Sequence, residues 1–285
     1  MEAPVSVVIP AYNCGEFIRD AITSALNQSL EPLEVVVVDD YSRDSTPRIV
    51  EAISRQNPKV KFYRNEKNME RSYTRNRGVR MSRGEYVCFL DCDDVWMEDH
   101  VAQMVDLMRG AKGAFAMPYG FVDREGRLLK VKKPFSGSFE EALFSGRVGY
   151  PSGSCFERET FLQVGGYDEA LIQREDWEIF LRLFVRGVPI GFLPRGRYLI
   201  REHGRRSSQG NPAFLKHTLD IYEKYFPLVD ERYRGYLLFH MAEQCFRFRQ
   251  RKCGWRFLLK LLKDHPSVLA RGRWLWELVK RMVKV

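Results

Sequence analysis

Residues 34–40 read Glu-Val-Val-Val-Val-Asp-Asp. Four valines in a row leave no polar alternate to face water. The segment therefore fits a strand covered on both faces, as in a parallel sheet held between helices. Residues 5–13, Val-Ser-Val-Val-Ile-Pro-Ala-Tyr-Asn, form a second continuous apolar run that closes on Pro10 and a polar turn. Between the two, Phe17, Ile18, Ala21, Ile22, Ala25 and Leu26 recur at helical spacing. A helix over 47–55, a strand over 60–63, a helix around 71–81 and a strand over 86–90 continue the alternation. Such alternation predicts an α/β doubly wound sheet flanked by helices. Ligands of these sheets sit beyond the carboxyl ends of the strands.

The second half reads differently. Residues 114–122 and 192–200 are expected as strands and 139–145 and 177–185 as helices; beyond about Gly210 the pattern is helical only. The expected organisation is an α/β domain over residues 1–210 and a helical, basic extension over 211–285. Residues 245–285 carry 12 Lys/Arg against 2 Asp/Glu, whereas the rest of the chain carries 34 against 35. The net charge of +9 thus belongs to the tail, a distribution that argues against a diffuse nucleic-acid-binding surface. No uncharged apolar run approaches the ~18 residues of a membrane span. The first strand candidate follows Met1 closely, leaving no room for a signal peptide, so a cytoplasmic location is expected. The six cysteines include no CxxC and the five histidines no HExxH. Zinc patterns are therefore missing, and the cysteines are expected as buried free thiols. There is no Gly-x-Gly and no Gly-Lys, which removes the dinucleotide fingerprint and the P-loop.

Polar clusters fall where strands end: Asn13 after the first, Asp39-Asp40 after the second, Asp91-Cys92-Asp93-Asp94 after the fourth. Residues two apart on a strand face the same way, so Asp91 and Asp93 converge. Two hard oxygen ligands leave most of an Mg2+ or Mn2+ shell to water and phosphate oxygens. A solvated acidic turn, with Asp94 as a helix cap, is the plainer alternative. Asp39 or Asp40 can accept from a base N–H or a ribose hydroxyl, and an Asx turn accounts for the pair equally well. Glu175-Asp176 heads a helix, where acids complement the dipole, and a carboxylate held there can also act as a general base. Arg201-Glu202-His203 shares a polar loop with Arg205, Arg206, Ser207 and Ser208, which combines a metal ligand with phosphate donors.

In this order the clusters resemble the family-2 glycosyltransferases of the GT-A fold. The resemblance runs from VSVVIPAYN through EVVVVDDYSRDST and TRNRGVRMSRGEYVCFLDCDD to GGYDEALIQREDWEIFLRL and the Arg-x-His loop, over roughly residues 5–210. It implies a GT-A-type doubly wound mixed sheet, a nucleotide-sugar-binding catalytic domain over 1–210, and a helical C-terminal extension. Pro10, Ala11, Tyr12, Asp39 and Asp40 match positions that hold the nucleoside, usually uridine. Asn68 and Arg75 match polar donor-binding positions. Asp91 and Asp93 match the Asp-x-Asp that binds ribose and a bridging Mn2+ or Mg2+, His203 matches a position that completes the metal or diphosphate shell, and Asp176 matches the catalytic base. Two departures stand out: Tyr41 occupies the glycine position of the usual Asp-Asp-Gly-Ser, and the segment from Asn68 to Arg75 lacks its glycine.

The implied reaction is a metal-dependent transfer, with inversion, from a nucleotide-diphosphate sugar to a hydroxyl of a glycan or lipid-linked acceptor. One base opposite the leaving group suffices for a single displacement. Two other classes compete: a sugar nucleotidyltransferase, which lacks support in a chain whose first strand ends in Pro-Ala-Tyr-Asn, and a non-catalytic sugar-nucleotide-binding protein. Acceptor choice is expected to come from residues 115–154 and from the segment after Gly210. In the tail, a break at Asp264-His265-Pro266 separates two amphipathic segments. The first carries Trp255, Leu258, Leu259 and Leu262 on an apolar face; the second carries Trp274, Leu275, Leu278, Val279 and Met282. Basic residues surround both, so residues 245–285 are expected to hold the enzyme peripherally on an anionic membrane surface. Packing of the same faces on the protein is the alternative.

Overall fold

A computed structural model describes residues 4–203, 211–270, 274 and 278–280. The chain begins with β1 (Val5–Ala11), buried at every residue. It turns at Asn13 into α1 (Ile18–Leu26), which buries Ile18, Ala21, Ile22 and Ala25. β2 (Glu34–Asp39) is also buried throughout, as its unbroken valine run requires. α2 (Thr46–Gln56) opens with Pro47, where a missing N–H is harmless. Then come β3 (Val60–Arg64), α3 (Glu70–Met81) and β4 (Tyr86–Phe89). Gly78 lets α3 lie tightly on β1, since a Cβ there would stand 2.4 Å from Val8 Cγ1. That close approach carries Arg75, one turn earlier, over the sheet.

β5 (Val95–Trp96) and α4 (His100–Met108) follow, then β6 (Gly113–Ala116) and β7 (Gly120–Val122). The single strand expected over 114–122 is thus two strands, and they lie in different sheets. Pro118 separates them, because a residue without N–H cannot continue the ladder. β8 (Leu128–Val131), α5 (Phe139–Phe144), β9 (Ser154–Glu157), α6 (Arg158–Gln163) and α7 (Glu175–Val185) come next. β10 (Ile190–Leu193) and β11 (Tyr198–Arg201) correct the strand expected over 192–200 in the same way, with Pro194 and Gly196 in the gap. Among the described residues that follow, the elements are helices: α8 (Pro212–Tyr225), α9 (Glu231–Arg247), α10 (Arg251–Asp264) and α11 (Ser267–Ala270).

The main sheet has seven strands in the order β10-β6-β9-β4-β1-β2-β3. β1 pairs in parallel with β2 and β4, and β9 runs antiparallel between β4 and β6, so the sheet is mixed. The chain winds outward from β1 through β2 to β3, then returns to place β4 on the other side of β1. The gap between β1 and β4 is therefore the topological switch point, where such sheets open a crevice. A second sheet has the order β5-β11-β7-β8.

Two compact units are distinguished: Met1–Ser136 with Tyr150–Arg205, and Gly137–Gly149 with Arg206–Val285. Helix α5 thus groups with the C-terminal helices. Within the second unit Phe144 stacks on Tyr233 at 5.2 Å, and α9 buries Leu237, Leu238, Phe239, Met241 and Ala242. Cys245 is bonded to Cys253, which corrects the expectation of free thiols at these two positions. The tight turn from α9 into α10 brings their Cα atoms to 5.7 Å. Cys14, Cys88, Cys92 and Cys155 are free. No helix among the described residues is long and apolar enough to cross a membrane.

Candidate active site

The strand ends at the switch point gather the acidic clusters. Asp91 follows β4 and its side chain is met by Arg75, whose Nη2 donates to Asp91 Oδ1 at 2.7 Å. The other end of the same guanidinium, Nη1, donates to Glu175 Oε1, also at 2.7 Å. Arg75 is buried, and its two carboxylate partners raise its pKa further although burial opposes the charge. One cation thus ties the end of β4 to the start of α7. Arg75, which matches a donor-binding position in the sequence, is held here by two carboxylates of the protein itself.

Asp176 stands beside Glu175 in the first turn of α7. Residue 174, which precedes the helix, has φ of 71°, a left-handed conformation that an arginine adopts only under constraint. Burial, and next the charge of Glu175, raise the Asp176 carboxyl from 3.8 to about 6. Arg174, Arg75 and the Trp177 N–H, which donates to Oδ1 at 2.8 Å, pull the other way. Such a carboxylate remains largely ionised near neutrality yet is a stronger base than an ordinary aspartate.

Beyond β4, Asp93 lies 2.7 Å from His203 Nε2 through Oδ2. Arg201 builds this arrangement. Its guanidinium donates to the carbonyls of Asp93 and Arg124 and to the Asp20 carboxylate, and its backbone N–H donates to Asp94 Oδ1. Asp94 is buried and also accepts from the Ser152 hydroxyl at 2.6 Å, so it fixes the turn and is not the cap of α4. The same Ser152 oxygen accepts from Asp91 N–H. Arg205, Arg206, Ser207 and Ser208 lie outside the described residues. Among the described residues no group of three or more His, Cys, Asp or Glu forms a ready cation cage. Asp93 and His203 are in contact with each other, whereas Asp91 is held by Arg75. Carboxylate oxygens and an imidazole are the kind of donors that can share a divalent cation with phosphate oxygens.

At the β2 end, Asp39 is fully buried. Oδ2 accepts from Ser42 N–H at 3.1 Å and pairs with Arg64 Nε at 3.0 Å, while Oδ1 has no hydrogen-bond partner among the described residues. Desolvation raises its pKa. Asp40 is occupied internally, accepting from Asn65 Nδ2 at 2.7 Å and Met69 N–H at 2.8 Å. Pro10 and Ala11 are buried at the end of β1 and Tyr12 is exposed beside them, whereas Asn68 is exposed on the β3–α3 loop. Tyr41 has φ of 66°, so the backbone keeps the glycine conformation while carrying a ring. The guanidiniums of Arg43 and Arg64 lie 5.0 and 5.6 Å from that ring. Glu70, in the other segment that lacks a glycine, also has φ of 66°. Sequence reasoning did not reach Arg64, Ser152 or Asn65. Arg64 ends a strand at the same edge and was accessible to the argument used for Asp39; Ser152 carries no sequence signal.

The family model for glycosyl transferase family 2 matches residues 6–156. The chain belongs to glycosyl transferase family 2. Chondroitin synthase of Escherichia coli is 32% identical over 231 residues, covering 80% of this chain and 32% of that protein. The amylovoran biosynthesis glycosyltransferase AmsB of Erwinia amylovora is 32% identical over 191 residues, 62% of each. The putative teichuronic acid biosynthesis glycosyltransferase TuaG of Bacillus subtilis is 30% identical over 148 residues, 51% of this chain and 59% of the relative. The chain spans about a third to three-fifths of the length of these family-2 relatives. Among solved structures, S. aureus TarS 1-349 in complex with UDP-GlcNAc superposes with a TM-score of 0.68 at 16% identity, over 98% of this chain and 89% of that one. The GT-A-type mixed α/β fold expected from the sequence is the fold observed. Family-2 transferases generally depend on a divalent metal.

Proposed function

We propose that this chain transfers a sugar from a nucleotide-diphosphate sugar, a UDP-sugar first among them, to a hydroxyl of a glycan or lipid-linked acceptor, with inversion. The observation that carries the reading is the Arg75 bridge. It holds Asp91, on the donor side, and Glu175, next to Asp176, in one rigid frame. Asp176 takes the proton of the acceptor hydroxyl as its oxygen attacks the anomeric carbon. The bond from that carbon to the diphosphate oxygen breaks, and its electron pair leaves with the nucleotide. Asp91, Asp93 and His203 would hold Mn2+ or Mg2+, which supplies neutralisation of the diphosphate charge. Asp39 Oδ1, buried and without a partner among the described residues, suits a base N–H, with Pro10, Ala11 and Tyr12 alongside. Asp40 and Asn68 act through the loop that frames this pocket edge.

The names of the relatives, which include synthesis of chondroitin, teichuronic acid and amylovoran, favour an extracellular or cell-envelope polysaccharide as the product. Peripheral attachment to the inner face of an anionic membrane fits α10. The apolar face expected there divides: Leu258 turns inward with Phe257 and Leu261, while Trp255, Leu259 and Leu262 face outward. Lys252, Arg256, Lys260 and Lys263 surround these outward side chains in sequence, the composition of an interfacial helix. Most of the second tail segment lies outside the described residues; Trp274 and Leu278 are buried. The test is a screen of nucleotide sugars for slow hydrolysis with release of the nucleoside diphosphate. Hydrolysis of one donor class supports the transferase. Release of inorganic pyrophosphate from a nucleoside triphosphate and a sugar phosphate would identify a nucleotidyltransferase, and no turnover with any donor would leave only a binding role.

A further inference from the structure

β8 is the outer strand of the four-stranded sheet and, among the described residues, pairs on one side only, with β7. Edge strands ordinarily guard their open N–H and C=O row with charge or cover. Here Leu128, Leu129 and Val131 are 56%, 55% and 42% exposed. All four residues of β8 are exposed, so neither face of the strand is covered, and a bulge interrupts it. The pairing passes from Phe121↔Lys130 to Val122↔Leu128, so Leu129 is the extra residue and the alternation of faces is broken. Apolar side chains therefore emerge without a core to receive them.

Their surroundings are basic. Lys130 and Lys133 are exposed, and Lys132 stands 5.6 Å above the Phe121 ring. The acids of the connecting turn, Asp123 and Glu125, are engaged by Arg127, and Arg124 pairs with Glu16. The uncompensated charge of the hairpin is positive. Leucines interleaved with lysines match the boundary between acyl chains and anionic headgroups. A second copy of the chain fits less well, because antiparallel β8–β8 pairing would bring lysines of like charge across the new interface.

We propose that the β7–β8 hairpin contacts an anionic bilayer, with Leu128, Leu129 and Val131 entering the headgroup–acyl boundary and Lys130 and Lys133 meeting lipid phosphates. β11 lies two strands inward, about 10 Å away at the usual strand spacing, and leads directly to His203. The contact thus holds the catalytic edge close to the surface at which a lipid-linked hydroxyl is presented. The inference rests on the lipid-linked acceptor reading, but its test reads lipid binding, so each can fail alone.

The full chain is compared with Leu128→Ser/Leu129→Ser/Val131→Ser and with Lys130→Glu/Lys133→Glu. Each is mixed with phosphatidylcholine vesicles with and without phosphatidylglycerol. Both variants should partition onto anionic vesicles roughly tenfold more weakly, with unchanged nucleotide-sugar hydrolysis in solution. The amides of 128–131 in the unaltered chain should gain hydrogen-exchange protection with anionic vesicles only. That local signal is one the α10 face cannot produce by itself. Should the apolar variant lose thermal stability, the charge-reversal variant and the exchange readout still decide. Equal partitioning of all three proteins, or no protection at 128–131, overturns the proposal. So does protection that grows with protein concentration without lipid and accompanies a dimer on sizing, since the surface then belongs to a second copy.

Discussion

Arg75 Nη1 donates to Glu175 Oε1 over 2.7 Å, and both side chains are 3% exposed. Removing one member of a buried pair leaves the other charge without compensation, at a cost of about 3–5 kcal/mol. Arg75→Met should therefore lower the melting temperature strongly. Arg75→Lys keeps the charge but has no fork to reach Asp91 and Glu175 together. It should retain more stability than Arg75→Met while losing most turnover. Calorimetric melting alongside donor hydrolysis checks both; a Lys variant with normal turnover would remove Arg75 from the account.

Asp176 should set the acid limb of the pH–rate profile. Its carboxyl is raised to about 6 by burial and by Glu175, and only the ionised form can accept a proton. Rate should fall as pH drops through about 6. Glu175→Gln deletes the neighbouring charge, so the limb should move to lower pH. An unmoved limb in this variant would assign the titration to another group.

Asp93→Ala should remove most of the metal-dependent part of nucleoside-diphosphate affinity, because Asp93, in contact with His203, is proposed as a ligand of the cation that neutralises the diphosphate. Titration calorimetry with and without Mn2+ measures this. Equal affinities in all four combinations would mean the cation sits elsewhere.

Tyr41 holds a left-handed backbone between two arginines. Tyr41→Gly relieves strain of about 1–3 kcal/mol and forfeits cation–π contacts of about 0.5–1 kcal/mol each. The terms nearly offset, so melting should shift by only a few degrees while relative affinity for different nucleoside diphosphates changes. Unaltered nucleoside preference would place Tyr41 outside the base site.

The parallel half of the fold was legible because each of its strands is an unbroken apolar run and each carboxyl end carries its polar cluster. Val35–Val38 and Val5–Ile9 could not be buried in any other way. Strands of three or four residues, such as β7 and β9, carry too few positions to show a period, and Pro118 and Pro194 were the available signs that two longer runs divide. At the site, local chemistry singled out Asp91, Asp93, Asp176 and His203 because acids clustered where strands or helices begin or end. Partners were not legible. That Arg75 serves two carboxylates 16 and 100 residues away, or that Arg201 clamps the Asp93 turn, depends on where α3 and β11 lie over the sheet.

The central claim is that Asp176 is the base of a sugar transfer, and Asp176→Asn tests it most directly. The amide keeps the shape and the helix start but cannot take the proton. The native state holds the Asp176 proton more tightly than the unfolded chain does, so stability declines as pH rises from about 4 toward 6. Replacing a carboxylate that is ionised at pH 7 should therefore raise the melting temperature, by about 2–6 °C. Nucleotide-sugar turnover should meanwhile fall by about 10²–10⁴-fold with donor affinity little changed. A variant that turns over the donor at nearly the parent rate would contradict the account.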